Sequence, residues 1–353
     1  MAIVERYVDP DVSGGLGDGT SWANAYSSLT SWEAAEQADL VAAGDQHTVY
    51  CRSGSGSIDT AALIINGWTT GVENYIQIIV PEEYRHDGKA GTTNYRLSGS
   101  IDVVELYVRI EGIECLTGTV NGLLRVSADT RSGSDIRIEK NLIHDKSNVG
   151  GASGIDNAGF AYNATIVNNI IYNITVPSGP FSGRHAYGIR AAQGWIVYNN
   201  TVYQVNNEDA DGDGIGLNAS STALVKNNAV FDCTSVGGLG LCINASATES
   251  YSCVSDTSAT GTGSLINKSA SNQFENITPG SEDLHLKAGS DCLTAGTNLS
   301  ADPSFPFDDD IDGDTRSNWD IGADEFVSQG GLLPILMNQN LHGNLQVLSG
   351  GLQ

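Results

Sequence analysis

The chain has 353 residues, with 42 acidic against 17 basic side chains and a formal net charge of −25. So large an acidic excess excludes a nucleic-acid-binding role, because phosphates are held by Lys and Arg; it suits solubility and divalent cations. No run of about eighteen apolar residues exists and no basic-then-apolar N-terminal stretch is present, so neither a membrane span nor a secretory signal is expected.

Residues 1–45 read as an N-terminal cap. Thr30-Ser31-Trp32-Glu33 has the spacing of a capping box, and the Ala-rich run from Glu33 to Ala43 predicts a short helix stopped by Gly44. A helix there would cover the first rung of a sheet with an open edge. Strands are expected at Thr48–Cys51, at Tyr75–Val80 and at Val108–Ile113, the last with Gly112 at a bend.

From residue 136 one phrase recurs four times, at 136–143, 165–172, 195–203 and 223–231. Each copy is two short runs rich in Val, Ile and Tyr, hinged at Asn. The marker asparagines are Asn141, Asn169, Asn200 and Asn228, spaced by 28, 31 and 28 residues. Asn tolerates the left-handed backbone that a tight bend needs, and stacked asparagines can hydrogen-bond along a stack. A third strand per turn fits Gly154-Ile155-Asp156-Asn157, Gly188-Ile189-Arg190-Ala191, Gly214-Ile215-Gly216-Leu217 and Gly240-Leu241-Cys242-Ile243. Three strands per turn at a constant period predict an all-β fold: a single-stranded right-handed parallel β-helix over 46–282 with an N-terminal helical cap. An antiparallel sandwich is the competing fold, and it rarely keeps a constant period.

The six cysteines form no CxxC pair and no His lies at zinc-ligand spacing, so they are expected as buried small hydrophobes, with Cys233–Cys242 the candidate disulfide.

In the third strand, alternation sends Ile155, Ile189, Ile215 and Leu241 inward, and Asp156, Arg190, Gly216 and Cys242 outward. Loops entering that outer face carry His144-Asp145-Lys146, Arg184-His185 and the acidic run 208–213. Arg190, Asp156 and His185 are therefore the candidate catalytic residues for β-elimination on an acidic polysaccharide, with Arg or His as the base and a cation on the uronate. The competing reading is an ordinary surface ion pair. Calcium is the candidate cofactor, and no other is expected. Asp209, Asp211 and Asp213 alternate with small residues, as do Asp308, Asp310, Asp312 and Asp314, in the manner of the first half of an EF-hand loop; the closing Glu is missing from both.

Two end segments carry a family resemblance. Arg6-Tyr7-Val8-Asp9-Pro10 through Tyr26 resembles the opening of many bacterial and phage β-helix proteins. Asp283 to Ser290, Asp310-Ile311-Asp312-Gly313-Asp314-Thr315-Arg316 and Trp319 to Phe326 resemble their closing module, of the choice-of-anchor Q type, here 283–327. The resemblance implies a pectate-lyase-like fold and contact with polysaccharides, but no single activity. No Gly-His-Gly or paired-Asp strand motif of a lyase or polygalacturonase is present.

Residues 328–353 are apolar and almost uncharged, which predicts an attachment tail for self-association or for a virion scaffold protein. The expected function is a non-catalytic structural or glycan-binding β-helix on the outside of a particle, a phage virion first of all. A polysaccharide lyase or hydrolase and a bacterial surface adhesin are the alternatives.

Overall fold

The computed structural model describes residues 2–117, 122–128, 133–158, 163–245 and 248–327; the expected attachment tail lies outside the described residues. The chain winds as a right-handed parallel β-helix of seven full turns, giving parallel sheets of nine, eight and seven strands. Each turn adds one strand to sheet 1, one to sheet 2 and one to sheet 3. In one turn these are Asp135–Glu139, Leu142–Ser147 and Ala152–Asn157. Among the described residues no helix is long and apolar enough to cross a membrane.

The corner between sheets 1 and 2 shows why the repeat carries two asparagines rather than one. The residue before each marker takes the left-handed conformation: Lys140, Asn168, Asn199 and Asn227 have φ of 53°, 56°, 49° and 56°. The marker itself is fully buried and joins a ladder. The amides of Ile113, Asn141, Asn169 and Asn200 each donate to the Oδ1 of the marker one turn on, at 3.0 Å. Each marker's Nδ2 donates to a carbonyl of the preceding turn, as from Asn169 to Ile138 and from Asn200 to Ile166, both at 2.9 Å. One side-chain type thus satisfies the buried backbone groups that the turn-to-turn backbone bonds leave over at a tight corner.

A second left-handed position recurs inside the sheet 2 strands, at Asp145, Asn173, Gln204 and Asp232. It turns two neighbouring side chains outward and restores the inward facing after it. His144-Asp145-Lys146 is therefore strand rather than a loop entering the groove. Lys146 stands in the interior column with Ile174, Val205 and Cys233, where burial lowers its ammonium to about 8.

The N-terminal end is covered as expected, with a different cap. Ala2–Val8 pairs in parallel with Asp45–Cys51 and adds the first strand of sheet 1. The helix Leu29–Glu36 is capped by Ser28, whose hydroxyl accepts the Ser31 amide, not by Thr30. Glu33 instead accepts the Trp68 indole at 3.2 Å and the Asn66 amide at 3.1 Å, pinning the helix to the coil. Asp39 starts a separate turn, Leu40–Ala43, which Gly44 ends with φ 73°. An Asp that caps its own helix interrupts the single helix expected through 43.

The last regular strand of the three sheets is Cys253–Val254, and single parallel bridges from Ser250 to Thr262 and from Cys253 to Leu265 carry the winding a little further. The chain then doubles back as a strap along the outside of the coil. Phe274, Leu284, Leu286, Ile311 and Ile321 cover the outward Leu142, Ile170, Tyr172, Tyr203 and Phe231 of sheet 2. The left-handed asparagines hold it: Asn227 donates to Thr297, Asn199 to Asp320 and Gly322, and Asn168 to Asp309. Arg316, wholly buried, donates to Asn168 Oδ1 and to the carbonyls of Asp309, Gly322 and Ala323. All six cysteines are free thiols, so the candidate Cys233–Cys242 disulfide is not formed.

Candidate functional site

With sheet 2 under the strap, sheet 3 keeps an outer face open to solvent. Its register places Asp102, Arg125, Asp156 and Arg190 directly above one another, followed by Asn218 and Asn244. Acid and base alternate along the stack, so each charge has an opposite neighbour at strand spacing.

This register corrects one expectation. Leu217, not Ile215, continues the inward column of Ile155 and Ile189, and Asn218 rather than Gly216 follows Arg190. Cys242 faces the core instead of solvent. The cause is an irregularity at Gly154, Gly188 and Gly216, whose missing side chains face the interior. A Cβ on Gly188 would lie 2.5 Å from Val202 Cγ1 and 2.4 Å from the Gly216 carbonyl. Aligning the segments on Gly216 rather than Gly214 sets Ile215-Gly216-Leu217-Asn218 beside Tyr187-Gly188-Ile189-Arg190, a match the sequence already held.

The three candidate catalytic residues share one cleft of about 170 Å³, lined by Gly150 to Ser153, Asp156, Gly183 to His185, Tyr187 and Arg190. Arg190 Nε lies 2.6 Å from Asp156 Oδ1, an ion-pair contact whose angle falls outside that of a hydrogen bond. A second Arg190 nitrogen donates to the Asn157 carbonyl. Burial raises the Asp156 carboxyl above its usual range against the pull of Arg190 and Arg125. His185 Nδ1 lies 3.0 Å from the Asp213 amide and 3.2 Å from its carboxylate, and its ring stacks on Tyr187 at 5.6 Å. Arg184 lies over Phe181, which is 49% exposed. Arg184 lines the cleft as the loop reading expected, whereas Tyr187 was not singled out from the sequence, because nothing in the repeat marks an aromatic at that strand position.

Neither acidic run gathers its carboxylates. Asp209 accepts the Arg184 amide at 3.0 Å, and Asp213 accepts the Leu239 amide at 2.8 Å. Asp310 is buried and accepts the amides of Asp312, Asp314 and Glu325, which makes it a turn staple. Asp312 turns away to His285, and among the described residues the one cluster with ligand spacing is His285, Asp312 and Asp324. Asp308 contributes its carbonyl to the Arg316 amide. His144 is likewise absent from the cleft. It is buried under the strap between Glu114 at 3.1 Å and Asp145 at 2.8 Å. Burial alone would lower its pKa, and the two carboxylates outweigh this and hold it at about 9.

No protein-family model matches the chain, and no curated protein matches it significantly.

Proposed function

We propose that this chain is a non-catalytic β-helix that binds an acidic glycan on the open face of sheet 3 and acts on the outside of a particle such as a phage virion. The observation that carries the binding reading is the cleft at Asp156, Arg190 and His185. In a chain of net charge −25, it joins two arginines and a histidine to an aromatic wall. Planar guanidinium groups suit sugar carboxylates, and aromatic rings suit the apolar faces of sugar rings. The cleft is smaller than the roughly 300–1,000 Å³ of drug-sized pockets, which fits one residue of a longer chain. Attachment to a particle rests on the sequence of 328–353, and a bacterial surface adhesin would use the same face with a different anchor. The pectate-lyase-like and choice-of-anchor Q resemblances support a glycan-facing lineage.

The gathering of Asp156, Arg190 and His185 in one cleft also favours a polysaccharide lyase as the second reading. Both are tested by titrating a uronic-acid oligosaccharide and its neutral counterpart into wild-type protein and Arg190→Ala. The binding reading expects saturable heat with the acidic sugar, lost in the variant, and no rise in unsaturated-uronate absorbance. Absorbance growth that Arg190→Ala abolishes would replace it with the lyase. No binding to either sugar would end both.

A further inference from the structure

A second cavity, of about 660 Å³, lies far from the sheet 3 cleft, between the loop 82–89 and the strap. His285 stands in its wall. Nδ1 of its ring meets Asp283 at 2.5 Å, and Nε2 meets Asp312 at 3.0 Å. One ligand atom each from His285, Asp312 and Asp324 lie within 4.8 Å of one another. Asp324 uses Oδ2 to accept the Leu286 amide, which fixes the carboxylate. An independent observation comes from the opposite wall. His86 is 2% exposed, its Nδ1 accepts the Gly88 amide at 3.2 Å, and its Nε2 has no hydrogen-bond partner. Gly88 rests on the His285 ring, where a Cβ would come within 2.5 Å of Nε2. With Nδ1 accepting, Nε2 carries the proton; the Lys140 backbone faces the ring, but no hydrogen bond of good geometry reaches Nε2, so this buried donor is poorly satisfied unless something fills the site.

We propose that His285, Asp312 and Asp324 form a three-ligand site for a divalent cation of the zinc class, with a metal-bound water accepting from His86. One imidazole and two carboxylates with an open fourth position match an open zinc site. Calcium asks for six to eight oxygens, which these residues do not supply. Asp283 on the far ring nitrogen is the outer partner that orients a metal-binding histidine. The site sits on a seam already tied by Arg85 to the Asp312 carbonyl and by Lys89 to Asp283. All three ligands belong to the strap, so a metal there cross-links its segments 283–286 and 312–324 beside that seam.

The test uses the full chain after chelator treatment. Zinc is titrated in competition with a chromophoric chelator, and thermal unfolding is followed with zinc, calcium and magnesium. The expected result is one zinc per chain and a Tm rise of roughly 5 °C with zinc alone. Asp324→Asn keeps the shape and the acceptor for Leu286, so it should fold and lose the Tm rise. Asp283→Asn should weaken zinc by about 10–100-fold. Because six thiols are also present, cobalt replaces zinc in a parallel sample; its spectrum should show nitrogen and oxygen ligands without thiolate charge transfer. Thiolate ligation, zinc binding unchanged in Asp324→Asn and His285→Gln, or no stoichiometric binding would each overturn the site.

Discussion

Sheets 2 and 3 are laid down by the same turns, yet their outer faces have opposite fates. On sheet 2 the outward column is Leu142, Ile170, Tyr172, Tyr203 and Phe231, and the strap buries it. On sheet 3 the outward column is charged and stays open, with Arg190 38% exposed in its side chain. The difference lies in what each face asks of water. An apolar outer column needs a cover, and the strap supplies one, tied down by buried asparagines and Arg316. A column of alternating charges needs none, because its carboxylates and guanidinium groups pair with one another while remaining at the surface. Substitutions on the covered side should therefore cost folding, and those on the open side should cost binding.

The largest expected effect is on the covered side. Arg316→Leu strands several buried carbonyls and Glu325, and should destabilise the chain by on the order of 3–5 kcal/mol in denaturant unfolding. Asn200→Ala follows. It removes an acceptor for Asn169 and donors to Ile166 and Tyr198, and should cost on the order of 2–4 kcal/mol. If either variant unfolds like wild type, the ladder and strap do not hold the coil in the way described.

His144 gives the comparison a pH signature. Its folded pKa, about 9, lies above the ordinary 6.5, so the stability it adds is complete below 6.5 and is lost as pH rises through 9. The loss should be on the order of 2–3 kcal/mol across that window. His285 titrates in an overlapping range, so the informative quantity is the difference between wild type and His144→Gln at each pH. That difference should shrink towards pH 10; a flat difference would mean that His144 is not charged under the strap.

Arg190→Ala should have the smallest effect on stability, below about 1 kcal/mol, because its ion pair with Asp156 is partly exposed. A larger loss would mean that the open face is structural, which would blur the contrast with sheet 2.

The winding and the open side of this contrast were legible in the sequence. The spacing of Asn141, Asn169, Asn200 and Asn228 fixed the turn, and stacking at one corner follows from period alone. Alternation placed Asp156 and Arg190 on one face. Two things escaped. Register along sheet 3 was shifted by two residues after Arg190, because Gly214-Ile215 mimics Gly188-Ile189 and alternation cannot detect an even slip. The path of the strap was hidden because its contacts, Asn168 to Arg316 and Asn227 to Thr297, join residues 148 and 70 positions apart. Nothing periodic marks such pairs. The Asn-Asn doublets were a clue: the left-handed corner explains an Asn before the marker, and the side chains of Asn168, Asn199 and Asn227 are left free to bond the strap.

The central claim is that ligand meets the chain on sheet 3, and a crystal of the full chain soaked with a uronic-acid tetrasaccharide tests it most directly. The account predicts sugar density against Arg190, His185 and Tyr187, with a carboxylate facing the Arg190 guanidinium. Density elsewhere on the coil with that cleft vacant, or against the strap, would contradict it.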